Sequence, residues 1–375
     1  MIKKVLFPFV GDSVGGSHLA ALALLRRLDR GRVEPVVILD RDGPLARKFD
    51  AERVAYAIAP FGALAGANAN VAPVMIAAIV AAPNVASLLK REKIDIVHTN
   101  DLRCHLTWGP TARLLGRKWV WHLHQLLSGS ALWAAPGALA SRILAVSPQA
   151  AESVPAFVSA KTAVIPNGFQ FGLPPDRGAA RSALAREIQI EPDRPIVAYV
   201  GNMTRQKRPL VFAEAARRVA KAAAIAPCFV LVGDDRGGER GAVEASFAEA
   251  GLSAQARFLG YRDSVPELLA GADILAAPGV GDSFGRTLVE ALSVGTPVVA
   301  SRSGGHSFIV THGETGLLVE PDDSESLARG LLTLLTDKAL ARGLAKSGEH
   351  DVRTRFDAGA VAGEVMKIYD ELSAA

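Results

Sequence analysis

Short apolar runs alternate with amphipathic segments along this chain, and the pattern predicts β-strands and α-helices in turn. Such alternation is typical of α/β folds with parallel sheets. The first half contains six predicted strands, which are residues 3–10, 34–39, 94–100, 118–125, 142–147 and 162–168. The second half contains five, which are residues 196–202, 227–235, 257–261, 272–278 and 296–301. We therefore predict two parallel sheets.

A segment rich in proline, glycine and charge separates the two series of strands. It covers residues 170–195 and has the composition of a linker followed by a lead-in helix. Each series is long enough to form a Rossmann-like domain. We predict domains over residues 1–170 and 171–353, followed by an amphipathic C-terminal helix within 354–375.

Charge is shared unevenly between the two halves. Residues 1–170 contain 19 Lys and Arg against 11 Asp and Glu, whereas residues 171–375 contain 23 against 27. The basic half is a candidate for contact with an anionic surface. Neither half has a feature that points to nucleic acid, and no nucleic-acid partner is expected.

A long uncharged stretch lies between Arg53 and Lys90. Pro60, Pro73 and Pro83 interrupt it, and its longest uninterrupted piece is too short to cross a bilayer. The stretch is either a buried helix of the N-terminal core or a lipid-facing surface, and we favour the buried helix.

The cysteines and the N-terminus indicate a cytoplasmic protein. Cys104 and Cys228 are far apart and lack metal-ligand spacing, so neither a disulfide framework nor a zinc site is predicted. The first twelve residues contain no small-residue cleavage site and are interpreted as a strand rather than a signal peptide.

The most informative segment for function is residues 277–299, which place Asp282 and Glu290 around the start of a helix. Glycines loosen the loop before that helix, whose free N–H groups would attract an anion. Both carboxylates can accept hydrogen bonds from sugar hydroxyls. The alternative is an ordinary strand-loop-helix connection with a solvated Asp282.

Two further loops suit an anionic or sugar ligand. Gly15 and Gly16 precede a helix after the first strand, and they allow close approach to backbone N–H groups. Arg205, Lys207 and Arg208 open another helix, where cations oppose the helix dipole unless an anionic ligand is present. The alternatives are a tight turn and a solvated surface turn.

Other patterns point to weaker hypotheses. His122 and His124 share one face of a strand, but a metal site there is rejected in favour of one histidine lining a cleft. Asp40 and Asp42 match the short D-x-D pattern of metal-diphosphate sites only weakly. The run GVGDSFG is not a dinucleotide fingerprint, because Phe284 replaces the third glycine.

Taken together, the motifs resemble those of the retaining glycosyltransferase family 4, also called glycosyl transferases group 1. The matching runs include VIPNGF, LVGDD, FLGYRDSVPELLAGADILAAP, the D-x7-E segment, VEALSVGTPVVAS, the SGG at residues 303–305, and GETGLLVEPDD. The resemblance implies the GT-B architecture, with two facing Rossmann-like domains, a cleft between them and a C-terminal helix that crosses back to the N-terminal domain.

The resemblance also implies roles for individual residues. Glu290 would bind the ribose of a nucleotide-sugar, Asp282 the transferred sugar and Lys207 the diphosphate, while His124 would line the donor sugar. The remaining donor-binding residues would be Asn202, Arg205, Gly233, Tyr261, Arg262, Ser283, Phe284 and Gly285. The acceptor or phosphate loop would comprise Gly15, Gly16 and Ser17.

Two residues depart from the family pattern. Asp282 stands where the family usually has Glu, so its sugar contact is longer or bridged by water. Asn202 stands where Arg is expected in the diphosphate clamp, and Arg205 is the candidate to compensate.

The implied activity is transfer of a sugar from a nucleoside-diphosphate-sugar to a glycan, lipid-linked or small-molecule acceptor. The configuration would be retained, and no metal or other cofactor is expected. Weak contact with an anionic membrane at the inner face is a further expectation. The alternatives are a nucleotide-sugar epimerase of the same shape and a non-catalytic nucleotide-sugar-binding protein.

Overall fold

The computed structural model describes residues 2–62, 71–127 and 135–374. The chain forms two compact units: unit 1 comprises Met1–Gln170 with Phe356–Ala375, and unit 2 comprises Phe171–Arg355. Each unit contains one sheet with helices between successive strands, so the predicted α/β fold class is confirmed. The chain re-enters unit 1 at Phe356, whereas the predicted C-terminal segment begins at residue 354.

Unit 1 is built on a seven-stranded parallel sheet. Its strands are β1 Lys3–Phe9, β2 Val33–Leu39, β3 Ala57–Ile58, β4 Ile96–Thr99, β5 Lys118–Leu123, β6 Arg142–Ala145 and β7 Thr162–Val164. Their order is β3-β2-β1-β4-β5-β6-β7. The order reverses between β1 and β4, and in such sheets the loops leaving those two strands open a crevice for ligands.

The connections of unit 1 are mostly helical. The helices are α1 Gly16–Leu25, α2 Pro44–Ala51, α3 Val71–Arg91, α4 Leu102–Leu114, α5 Pro148–Glu152 and α6 Ala156–Ser159. N-cap residues set the starts of two of these helices. Asp101 accepts a hydrogen bond from Arg103 N at the start of α4, and Ser147 accepts one from Ala150 N at the start of α5.

Unit 2 repeats this topology with a six-stranded parallel sheet. Its strands are β8 Ile196–Val200, β9 Cys228–Val232, β10 Ala256–Gly260, β11 Ile274–Ala277, β12 Val298–Ser301 and β13 Leu317–Val319. The order is β10-β9-β8-β11-β12-β13, and it reverses between β8 and β11. Its helices are α7 Arg177–Ile188, α8 Pro209–Ala222, α9 Arg240–Glu249, α10 Pro266–Gly271, α11 Arg286–Ser293, α12 Gly305–Ile309, α13 Ser324–Thr336 and α14 Lys338–Arg355.

The C-terminal helix α15, Ala358–Ala374, returns to unit 1 as predicted. Its buried face, which includes Val361 and Val365, joins the same core cluster as Val5. Tyr369 is also buried, and its hydroxyl lies 2.6 Å from His98 Nδ1. The helix is therefore an integral part of unit 1.

Two strands of the structure were not predicted from the sequence. The strands β3 and β13 contain two and three residues and lie at sheet edges. An edge strand of two or three residues is too short for its alternation to stand out from the flanking loops.

The prediction that prolines cut the uncharged stretch is wrong for Pro83. Helix α3 is continuous for 21 residues and contains Pro83 in its interior. A proline removes the hydrogen bond to the carbonyl four residues earlier. That residue is Ile79, which is 72% exposed, so water can satisfy the freed carbonyl.

Helix α3 is buried on one face only. The prediction of a core helix is therefore correct for that face and wrong for the opposite face. Val85 and Leu89 are buried in the core of unit 1. On the other face, Ile76 and Val80 are 64% and 75% exposed. Residues 73–91 are long and apolar enough to cross a membrane by length and composition, a criterion that the core helices of many water-soluble proteins also meet.

Buried histidines lie in the centre of the unit 1 sheet, on β4 and β5, and on helix α4 beside it. His98 Nε2 lies 3.2 Å from His122 Nδ1, and His105 Nδ1 lies 2.6 Å from Thr99 Oγ1. Burial lowers the pKa of His105 to about 3 and that of His122 to about 4. It also holds the pKa of His98 well below its usual value. These side chains are therefore neutral at pH 7.

We expect acid to destabilise unit 1 through these histidines. Their pKa values are lowered in the folded state, so below the ordinary value of 6.5 the unfolded chain binds protons that the folded chain does not. The free energy of unfolding should fall as pH falls from about 6.5 towards 4. Replacing His105 by Leu should reduce this pH slope near pH 5 by about 1.4 kcal/mol per pH unit, the contribution of one proton.

Urea unfolding of the full chain at several pH values measures the slope. His350→Gln is the matched control, because His350 is exposed in unit 2 and its loss should leave the slope unchanged. Equal slopes for wild type and His105→Leu would contradict the assignment.

Candidate functional site

The loops that leave β8 and β11 meet where the strand order of unit 2 reverses. Lys207 lies in a short 3-10 turn after β8, and Asp282 lies in the loop between β11 and α11. Lys207 Nζ is 2.7 Å from Asp282 Oδ2. The structure thus joins these two predicted site residues in an ion pair in which Asp282 is buried, with 7% exposed, and Lys207 is half-buried.

Two further side chains contact Asp282, and sequence reasoning missed both. His306 Nε2 lies 3.0 Å from Oδ2, the oxygen that Lys207 also contacts. Gln206 Nε2 lies 3.4 Å from Oδ1. The glycines just before His306 matched the family pattern, and that match was the available signal for a loop near the site.

The surroundings of Asp282 keep it ionised. Burial alone would raise the pKa of this carboxyl, but the hydrogen bond from His306 and the charge of Lys207 outweigh burial and lower the pKa to about 2. Asp282 is therefore a hydrogen-bond acceptor at neutral pH.

Two hydrogen bonds from backbone N–H groups join the loop that carries Asp282 to the loop that follows β12. Gly305 N donates to Asp282 O at 2.7 Å, and Gly281 N donates to Ser303 Oγ at 3.1 Å. A Cβ on Gly305 would lie 2.1 Å from Phe284 O, so only glycine permits this approach. Phe284 is 3% exposed, and its ring is buried in the core.

The other predicted carboxylate, Glu290, lies inside α11. Gly285 precedes this helix with a φ of 105° and leaves its first N–H groups without a side-chain cap. Ser283 lies in the same loop and is half-buried. Glu290 Oε1 is 3.4 Å from Arg286 Nη2, one helical turn earlier.

Asn202 and Gly233 hold the ends of β8 and β9 together. Asn202 Oδ1 accepts a hydrogen bond from Asp234 N at 3.3 Å. Gly233 has a φ of +141°, and a Cβ there would lie 2.1 Å from Gly201 O. Both residues shape the loop that carries Lys207.

Three predicted donor-binding residues are not brought to Asp282. The Arg205 side chain is 91% exposed and pairs with Glu239 instead of compensating beside Lys207. Tyr261 and Arg262 follow β10, which β9 and β8 separate from β11. That separation is about 14 Å for three strand spacings. Arg262 pairs with Glu187.

The glycine loop of unit 1 lies at the other point where strand order reverses. Gly15 N donates to His18 Nδ1 at 3.0 Å, and Gly16 and Ser17 begin α1. Beside them, Arg103 from α4 bridges the loops after β1 and β4. Its guanidinium lies 2.8 Å from Asp12 Oδ2 and 3.0 Å from Asp101 Oδ2, two contacts that the sequence did not reveal.

His124 lies at the carboxyl end of β5, as expected for a cleft residue. Its ring is held between two asparagines, with Nδ1 3.1 Å from Asn167 Oδ1 and Nε2 3.2 Å from Asn100 Oδ1. Burial, and then the charge that neighbouring His122 would carry, hold the pKa of His124 well below its usual value. His124 is therefore a neutral hydrogen-bonding group at pH 7.

The described residues contain no group of three or more His, Cys, Asp or Glu that could hold a metal ion. Asp40, from the D-x-D pattern, instead anchors the backbone: its Oδ1 accepts from Phe61 N and Gly62 N, each at 2.8 Å. Cys104 and Cys228 are buried free thiols.

Two family models match consecutive parts of the chain. Residues 14–171 match Glycosyltransferase Family 4, and residues 181–351 match glycosyl transferases group 1. The chain belongs to this glycosyltransferase family. The resemblance drawn from its motifs is thereby confirmed.

Curated relatives of this chain are named for different acceptors. It is 39% identical over 126 residues to a phosphatidyl-myo-inositol mannosyltransferase of Mycobacterium leprae, covering 33% of each chain. It is 34% identical over 207 residues to a D-inositol 3-phosphate glycosyltransferase of Corynebacterium jeikeium, covering 52% of this chain and 48% of the relative. The matches thus span between a third and a half of these relatives' own length.

Solved structures resemble this chain over nearly its whole length. Anabaena HepE in complex with UDP and glucose has a TM-score of 0.82 and 23% identity, covering 98% of this chain and 99% of that one. Sucrose-phosphate synthase from Thermosynechococcus elongatus has a TM-score of 0.80 and 22% identity, with 99% of each chain covered. At such identities the likeness shows the fold, which is the two-domain GT-B fold.

Proposed function

We propose that this glycosyltransferase moves a sugar from a nucleoside-diphosphate-sugar to a hydroxyl of a glycan, lipid-linked or small-molecule acceptor. The anomeric configuration is retained and no metal takes part. The observation that carries the proposal is the buried cluster of Lys207, Asp282 and His306 at the point where the strand order of unit 2 reverses. Ligands of doubly wound folds bind at such points.

The cluster supplies what a nucleotide-sugar requires. Lys207 and the start of α11, which has no side-chain cap, provide positive charge for the diphosphate. That charge stabilises the leaving phosphate as negative charge develops on it. Glu290 would accept hydrogen bonds from the ribose hydroxyls, and Asp282 from a hydroxyl of the sugar. The HepE complex with UDP-glucose shows such a donor bound to a protein of the same fold.

The contacts of Asp282 are compatible with the retaining front-face reaction that we propose. Its carboxylate is held by Lys207 and His306, which suits binding better than nucleophilic attack. In a front-face reaction the bond from the anomeric carbon to the phosphate oxygen breaks and the acceptor oxygen bonds to that carbon on the same face. The proton of the acceptor hydroxyl passes to the leaving phosphate oxygen. No carboxylate nucleophile is required.

A second function is favoured by one observation. Asn202 occupies the expected arginine position, and Arg205 turns towards Glu239, so the described residues provide a smaller phosphate clamp than the resemblance implied. This arrangement would also suit a protein that binds a nucleotide-sugar without transferring it.

An assay of the purified full chain distinguishes sugar transfer from nucleotide-sugar binding without transfer. UDP-, GDP- and ADP-sugars are first screened for thermal stabilisation, since a ligand at a hundred times its Kd adds about 2.7 kcal/mol. The stabilising donor is then incubated with candidate acceptors in EDTA, and NMR gives the anomeric configuration of the product. Retained product in EDTA is expected. Donor binding without turnover on any acceptor would favour the binding protein, and loss of turnover restored by Mg²⁺ or Mn²⁺ would exclude the metal-free reaction.

Replacing Glu290 by Gln should weaken nucleotide binding about 10- to 100-fold. The neutral amide loses a hydrogen bond from the ribose to a charged acceptor, worth about 1.5–3 kcal/mol. Calorimetry with the preferred nucleoside diphosphate measures the loss. Glu325→Gln is the control, because Glu325 also pairs with an arginine one helical turn away, on α13 of the same unit. Unchanged affinity in Glu290→Gln would remove Glu290 from the site.

We also expect unit 1 to bind anionic membranes through α3. Ile76, Ile79 and Val80 form an exposed apolar surface on a unit whose charge is predominantly positive, and each Lys or Arg near an anionic surface contributes about 1 kcal/mol. Co-sedimentation with phosphatidylserine vesicles should be strong at low salt and weaken as salt rises.

Replacing Ile76 and Ile79 together by Asp should reduce vesicle binding, whereas Ile225→Asp, which alters an exposed isoleucine of unit 2, should not. Absence of binding by wild type at low salt would leave a soluble acceptor as the better proposal.

A further inference from the structure

We propose that His306 is a positioning residue: it fixes one oxygen of Asp282 so that the other oxygen receives a hydroxyl of the donor sugar. The inference rests on the proposed function, since it names what one residue does in donor recognition. His306 itself is 2% exposed, so it acts through Asp282 rather than on the sugar.

The two oxygens of Asp282 have different partners. Oδ2 accepts from Lys207 Nζ at 2.7 Å and from His306 Nε2 at 3.0 Å. A carboxylate oxygen has two lone pairs, so these donors fill Oδ2. Oδ1 has only the long 3.4 Å contact from Gln206 among the described residues. Oδ1 is therefore the oxygen with capacity for a ligand hydroxyl.

Glycines make room for this pair. A Cβ on Gly285 would lie 2.8 Å from His306 Cδ2, and Gly285 also has a positive φ of 105°. A Cβ on Gly279 would lie 3.2 Å from Asp282 Oδ2. Larger residues at these positions would push the imidazole or the carboxylate out of place, so the pairing depends on the local backbone.

His306 supplies a hydrogen bond to Asp282 that does not depend on the position of Lys207. The Lys207 side chain is 32% exposed and flexible, and an arriving diphosphate would attract its ammonium group away from Asp282. Asp282 would then lose its nearest donor while remaining largely buried. The imidazole is fixed by packing, so its hydrogen bond to Oδ2 persists and preserves the orientation of the carboxylate.

The proton on His306 follows from the acceptor that it meets. Asp282 is ionised, so the imidazole donates through Nε2. Its Nδ1 is buried and has no hydrogen-bond partner among the described residues. The side chain therefore makes one directed hydrogen bond, and that bond is to Asp282.

Two substitutions isolate the hydrogen bond from the packing. In His306→Gln the amide nitrogen can take the place of Nε2 and donate to Oδ2, whereas His306→Leu fills similar space without a donor. Affinity is measured by calorimetry for the nucleoside diphosphate and for the matching nucleotide-sugar, together with kcat and KM. His306→Leu should bind the nucleotide-sugar about 10-fold more weakly, the value of one hydrogen bond to a charged group, with unchanged affinity for the nucleoside diphosphate. His306→Gln should recover most of that loss.

The outcomes separate the inference from the proposed function. Equal nucleotide-sugar affinity in wild type and His306→Leu, or equal losses in the Leu and Gln variants, would overturn the positioning role while leaving the proposed function intact. A wild-type chain that binds no nucleotide-sugar would overturn both. If thermal unfolding shows that His306→Leu is not folded, His306→Asn replaces it, because its amide is too short to reach Oδ2.

Discussion

The candidate site in unit 2 depends on a part-buried ion pair that crosses the point where strand order reverses, and unit 1 has a similar pair at its own reversal. In unit 2 the pair joins Lys207 to Asp282, and in unit 1 it joins Arg103 to Asp12. At such a point the loops of two adjacent strands diverge to opposite faces of the sheet, and polar side chains from both loops meet in the gap. A carboxylate removed from water there requires several donors, and Asp282 obtains them from Lys207, His306 and Gln206.

The two pairs differ in the charge that they leave for a ligand. Arg103 contacts both Asp12 and Asp101, so two carboxylates balance one cation in the loops of unit 1. In unit 2 one carboxylate faces Lys207, and the uncapped start of α11 adds a further positive contribution. The surplus agrees with the anionic diphosphate that we propose for unit 2. In unit 1 the two carboxylates can accept hydrogen bonds from hydroxyl groups, which agrees with the acceptor that we propose.

The sequence predicted what depends on local pattern and missed what depends on neighbours in space. Long buried strands such as β1 and β9 stand out as continuous apolar runs, whereas the edge strands β3 and β13 are too short to do so. Asp282 and Lys207 were identified because glycines and a cluster of cations surround them. His306 and Arg103 were missed because their partners lie in other loops, and only the strand order brings those loops together.

The histidines of unit 1 restrict the chemistry that the chain can perform. Burial holds the pKa of His124 well below neutral, and two asparagines fix its ring, so it is a neutral group at pH 7. A neutral imidazole neither neutralises a diphosphate nor supplies a proton readily. In the function that we propose, stabilisation of the leaving phosphate comes from Lys207 and the start of α11 in unit 2. The proposed front-face transfer needs no histidine base, because the leaving phosphate oxygen itself takes the proton of the acceptor hydroxyl, and a histidine whose pKa lies so low is a weak base.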